Sequence, residues 1–167
     1  TTIQQFMFAL QRQSGRVDSE FSHLYFGEAT DISYLERETG RKSYPINLMR
    51  DTNRFNIVLL NLDENPDNSE MPFAFEIVSP ENAAYSWENE PTNLTDPVIY
   101  APYFTEKGQE EDVRMTARSN TLRLLDRESF DYKFVMHNTE TGEEVVNIDL
   151  MTLCKYTKPA TRPDDTG

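Results

Sequence analysis

The chain is short of the residues that cross-linking and catalysis use most. A single cysteine, Cys154, in 167 residues excludes an internal disulfide. The only two histidines, His23 and His137, fall short of the clustered ligands that a zinc site needs even when that cysteine is added. Nor does any motif supply the third, orienting group that a Cys–His nucleophile requires. Basic residues are also scarce: 16 Lys and Arg against 29 Asp and Glu leave a formal net charge of -13. Such a surface opposes nucleic acid and anionic membranes as partners. No apolar run approaches the length of a spanning helix, and Thr1, Thr2, Ile3, Gln4, Gln5 and Phe6 lack the basic and apolar regions of a secretion signal; two origins stay open, Thr1 left by removal of an initiator Met or Thr1 following a cleaved leader, and the first, with a cytoplasmic location, is slightly favoured. With no catalytic motif, the chain is expected to be neither an enzyme nor a carrier of a resident cofactor.

What is present is the material of a β-rich core. Ten Phe and eight Tyr are too many for a disordered acidic chain. At this length a single domain buries roughly 70% of its unfolded surface. Between Val113 and Tyr156 the apolar residues alternate. Val113, Met115 and Ala117 share one phase, followed by Leu122 and Leu124, then Phe130, Tyr132, Phe134 and Met136, then Val146, Ile148 and Leu150. Period-two spacing marks strands with one buried face. The intervening polar turns, the second containing Gly142, make the stretch read as a β-meander whose last strand runs on past Cys154.

Upstream, Phe6, Phe8 and Leu10 give a first strand that turns at Ser14 and Gly15, and a short extended piece is expected around His23 to Phe26. Residues 31–48 fit either a short capped helix or a hairpin, and the hairpin is favoured. Residues 54–62 are nearly continuous in apolar residues, as in a central strand covered on both faces. Phe73, Phe75 and Ile77 alternate, Tyr85 and Trp87 form a short strand, and Pro102 gives residues 98–104 the look of an edge strand. Together these predict an all-β fold, a single antiparallel β-sandwich of Ig-like or jelly-roll-like type with about nine or ten strands, over residues 1–157. Residues 158–167 form an extended arm without apolar anchors.

The segments Asn120 to Asp126, Tyr132-Lys133-Phe134, Gly142 and Ile148-Asp149 share a pattern: an apolar strand ending in Asp, a Tyr-x-Phe strand, a turn with Gly and a terminal Ile-Asp. In these residues the C-terminal half resembles small bacterial β-sandwich families, the inclusion-body proteins of the PixA/AidA type and the DP-EP domains. That resemblance implies a sandwich that packs into bacterial assemblies or inclusions and has no catalytic residues.

Three candidate sites follow. The arm, with Lys155, Tyr156, Lys158 and Arg162, offers basic groups to the acidic surface of another copy or another subunit, and predicts self-assembly into an oligomer, filament, shell or inclusion. Asp63, Asn65, Asp67 and Ser69 place oxygen donors at alternate positions, as a calcium loop does, although Asn68 and Ala74 stand where an EF-hand has Gly and Glu. Trp87 with Glu88 and Glu90 offers a stacking surface beside carboxylates. The alternative function is therefore a non-catalytic module that binds calcium or carbohydrate through residues 63–70 or 86–97.

Overall fold

The structure is a computed structural model that describes residues 7–29, 43–60, 73–80, 82–93, 97–107, 113–125 and 131–157. Among them are thirteen strands and one helix, so the all-β expectation holds with more and shorter strands than the sequence pattern resolves. In chain order they are β1 (Met7–Ala9), β2 (Arg16–Val17), β3 (Tyr25–Phe26), β4 (Met49–Arg50), β5 (Thr52–Leu60), β6 (Phe73–Ser79) and β7 (Asn82–Ser86). There follow β8 (Pro91–Asn93), β9 (Val98–Tyr100), β10 (Phe104–Lys107), β11 (Val113–Leu122), β12 (Lys133–Asn138), β13 (Glu144–Asp149) and α1 (Leu150–Tyr156).

Two sheets make the sandwich. A five-stranded sheet has the order β13-β12-β6-β9-β2 and a three-stranded sheet the order β10-β11-β5. Phe75 and Met136 from the first meet Met115 and Ala117 from the second, with Ile57 and Leu59 of β5 packed against them. A second cluster gathers Val17, Ile77, Val98, Tyr100, Tyr132 and Leu150, and Phe134 touches both clusters. Each large apolar side chain so buried contributes about 1.5–3 kcal/mol. The smaller sheets are β1-β7-β8, which leaves β1 at an edge, and the pair β3-β4.

The turns follow local chemistry. Ser14 and Gly15 both have positive φ, 50° and 78°, and Gln13 and Arg16 exchange backbone hydrogen bonds of 3.0 and 2.9 Å, as a two-residue hairpin turn demands. Between β12 and β13, Gly142 takes φ 70° while the Asn138 carboxamide oxygen accepts from the N–H of Glu140 and Thr141 at 2.9 and 3.1 Å.

Several local expectations need correction. The run from Val113 is not one meander: β11 pairs with β10 and β5, whereas β12 pairs with β13 and β6 in the other sheet. Alternation reveals that a strand has a buried face and is silent about its partner. The last segment is a helix, because the Asp149 carboxylate accepts from Thr152 N–H at 2.6 Å and caps it. Its Leu150 is buried in the core, and Cys154 packs at the rim of that cluster.

β5 is not central among the described strands. It ends its sheet, and its apolar run divides between Phe55, Ile57 and Leu59 facing inward and Val58 and Leu60 facing out. β9 is not an edge strand. It lies between β6 and β2 and stops at Tyr100, so Pro102 falls in the connection and costs no ladder bond. The β2–β9 pairing is parallel, an exception among the otherwise antiparallel pairings of the described strands. Of the hairpin expected at 31–48, residues 30–42 lie outside the described residues, and residues 43–48 form no strand.

Candidate functional site

The Trp87 turn is organised around Ser86. Its hydroxyl accepts from Glu88 N–H and Glu90 N–H, both at 3.3 Å, while its N–H donates to Glu90 O at 2.8 Å. Asn89 sits buried at φ 62° in the same turn. Trp87 is half-buried and Glu88 and Glu90 are exposed, so the residues expected to bind a ligand lie on one tight turn whose backbone they complete. Asp63, Asn65, Asp67 and Ser69 lie outside the described residues, as do Lys158 and Arg162. Lys155 and Tyr156 are exposed on α1, at the root of the expected arm. Among the described residues no three His, Cys, Asp or Glu side chains come close enough to hold a metal ion.

His137 faces Glu76, 3.8 Å away, and His23 Nδ1 lies 3.2 Å from Thr52 Oγ1. Cys154 instead packs against the core, where burial and then the Asp149 charge push its thiol up. These three residues have different neighbours and form no nucleophilic set.

Three features were not singled out from the sequence. The first is a buried polar clasp. Asp51 is fully covered, with Arg123 Nη1 3.2 Å from its Oδ1 but no well-aligned hydrogen bond to either carboxylate oxygen. Burial pushes its carboxyl up, opposed by the Arg123 charge and the nearby Asn89 amide. The Asp51 carbonyl accepts from Arg123 N–H at 2.8 Å and from the Tyr85 hydroxyl at 3.2 Å. Burial also raises Tyr85, to about 12. The clasp ties the start of β5, β7 and the end of β11 together.

The second is a set of exposed apolar side chains on the β3–β4 unit and the segment that leads into β4. Tyr25, Tyr44, Ile46, Leu48 and Met49 are each between 40% and 66% exposed. The bare backbone of Gly27 admits Ile46 and Leu48 so closely that an added Cβ would sit 2.7 and 2.6 Å from their side chains. The third is a cleft of about 340 Å³ on the β10-β11-β5 sheet, lined by Asp18, Glu20, Arg54, Tyr103, Phe104 and Arg118. Alternation at 44, 46 and 48 was a visible signal for the second. The cleft draws on residues scattered from 18 to 118 and has no sequence signature.

The model of the family described as Fimbrillin-A associated anchor proteins Mfa1 and Mfa2 matches residues 1–166. Among solved structures, the chain is similar to a candidate adhesin from Bacteroides ovatus, at 48% identity and a TM-score of 0.83 over 98% of this chain and 52% of that one. It shares its fold with a candidate polysaccharide-binding protein from Bacteroides thetaiotaomicron, at 22% identity, a TM-score of 0.76, and 94% and 53% coverage. The fimbrial anchor protein Mfa2 from Porphyromonas gingivalis is similar at 20% identity, a TM-score of 0.67, and 95% and 55% coverage. The chain thus spans about half the length of these relatives. No curated protein sequence matches it.

These findings overturn two expectations. The resemblance to PixA/AidA inclusion-body proteins and DP-EP domains does not stand, because a different family matches from residue 1 onward. The residues that carried it do generic work: Asp149 caps α1, and the Tyr132 hydroxyl accepts from Leu125 N–H at 3.3 Å. The cytoplasmic expectation also falls, since fimbrial anchors act at the cell surface. No described helix is long and apolar enough to cross a membrane, which says nothing of β-barrels. Matched over residues 1–166 and 48% identical to a Bacteroides structure across nearly its whole length, the chain belongs to the non-catalytic family of Fimbrillin-A associated anchor proteins Mfa1 and Mfa2.

Proposed function

We propose that this β-sandwich is a structural part of a fimbrial anchor and that it holds a fimbrillin subunit against the apolar surface of the β3–β4 unit. The observation that carries the reading is the pair Ile46 and Leu48, 49% and 66% exposed and set side by side over Gly27, on a chain of net charge -13. Scattered exposed apolar residues are ordinary, but a contiguous group of this kind marks a contact surface. A subunit that covers it removes apolar area from water at about 25 cal/mol per Å². The partner in this reading is a different subunit, a fimbrillin, in line with the description of the matched family.

The experiment is binding of purified fimbrillin to the chain, read by interferometry. Ile46→Asp and Leu48→Asp each weaken the complex at least tenfold, about 1.4 kcal/mol. Fimbrillin binding at full strength to the double variant sinks the reading. The arm enters as a secondary contact: Tyr156 is 85% exposed beside Lys155, and removal of residues 158–167 weakens the complex less than the Leu48 change does.

A further inference from the structure

The cleft on the β10-β11-β5 sheet is built differently from the apolar surface and lies outside the assembly reading. Phe104 and Arg118 are directly opposed across β10 and β11, and the Arg118 guanidinium stacks 4.8 Å above the Phe104 ring. Stacking holds the guanidinium plane and leaves its N–H edge as a fixed donor. Arg54 Nη2 lies 2.7 Å from Glu20 Oε1 in an exposed ion pair, which sets a second donor beside an acceptor. Asp18 adds a further acceptor on the same wall. The Asn120 amide donates to Phe21 O at 3.2 Å and ties the segment carrying Asp18 and Glu20 to β11.

Three properties narrow the ligand. Two half-buried aromatic residues, Tyr103 and Phe104, offer an apolar platform, while planar donors and acceptors alternate around it. The two guanidinium groups and two carboxylates cancel in charge, so the cleft selects neither cation nor anion, and the protein's charge of -13 would repel an anionic ligand. The ladder bonds of β11 are taken by β10 on one side and β5 on the other, so the central strand under the cleft offers a peptide no backbone to pair with. The volume is at the lower end of small-molecule sites, about 300–1,000 Å³.

A pyranose has these complements: an apolar C–H face, hydroxyls that both donate and accept, and no charge. We propose that this cleft binds a neutral saccharide, with the sugar's C–H face on Phe104 and Tyr103 and its hydroxyls on Arg118, Arg54, Glu20 and Asp18.

The test is saturation-transfer NMR of the full chain with glucose, galactose, mannose, fucose and N-acetylglucosamine, joined to amide shift mapping. At least one sugar receives saturation, and the amides that move are those of residues 18–20, 103–104 and 118. Phe104→Ala and Arg118→Lys, the latter keeping the charge but losing the plane, each weaken that sugar by about fivefold while the melting curve is retained. Raising the salt changes the affinity by less than about twofold, as for an uncharged ligand. The proposal is overturned if none of the five sugars takes saturation or if the shifts map to the Trp87 turn. It also fails if both variants bind as the wild type does, or if binding collapses with salt.

Discussion

The sandwich interior and the β3–β4 unit use the same kinds of residue to opposite ends. Ile77, Phe75 and Met115 are covered from both sheets, so their apolar area is already out of water. Ile46 and Leu48, just ahead of the β3–β4 pair, and Met49 within it are 46% to 66% exposed, and no described sheet packs over them. One region supplies stability and the other, in the reading proposed above, affinity. Two-stranded units are marginal alone, which is why this one leans on Gly27 and on the Asp51 clasp.

That division can be broken from either side. Ile77→Ala leaves a cavity between two layers and lowers the unfolding free energy by about 4 kcal/mol in a denaturant melt. Arg123→Ala leaves the Asp51 carboxylate buried without its cation and costs about 3 kcal/mol, measured in the same way. Adding Asp51→Asn to that variant restores part of the loss, because the uncompensated charge is gone. The pH dependence has a definite sign. With its folded pKa raised, Asp51 binds its proton more tightly in the fold, so stability falls as pH rises from the ordinary carboxylate range through the raised value. Asp149 acts oppositely: the Thr152 contacts hold its pKa down, and its contribution disappears as pH falls below the ordinary value. The Asp51→Asn and Asp149→Asn variants therefore change the acid limb of a stability–pH curve in opposite directions.

Gly142→Ala is a smaller perturbation, about 1 kcal/mol. The site has open space for a methyl group, and the cost is the left-handed backbone alone. Leu48→Asp is the smallest in stability, within about 0.5 kcal/mol, and should show its effect only in fimbrillin binding. A large loss of stability from Leu48→Asp, or none from Ile77→Ala, would erase the distinction between the two regions.

The sequence made some of this legible and left the rest dark for identifiable reasons. The alternation at Phe73, Phe75 and Ile77 and the positive-φ turns at Gly15 and Gly142 are local, and the structure repeats them. Strand partnership is not local: nothing in residues 113–138 says that β11 and β12 belong to different sheets. Of the Ile148-Asp149 pair read as the end of a strand, Asp149 is also the N-cap of α1, because a strand's last residue and an N-cap share the same extended backbone conformation. Residues 44–48 advertised their apolar side chains by alternation but not that these would stay exposed. Arg54 and Phe104 counted only as ends of expected strands and Arg118 carried no expectation, and it is the register that sets Phe104 and Arg118 face to face.

The parallel pairing of Arg16 with Ile99 and Val17 with Tyr100 bears on how the protein is made. β2 joins a strand some eighty residues further along the chain, and Val17 reaches its buried place only when that distant strand is in position. Closure of the five-stranded sheet is thus a late event that brings together distant parts of the chain, the kind of step that slows folding.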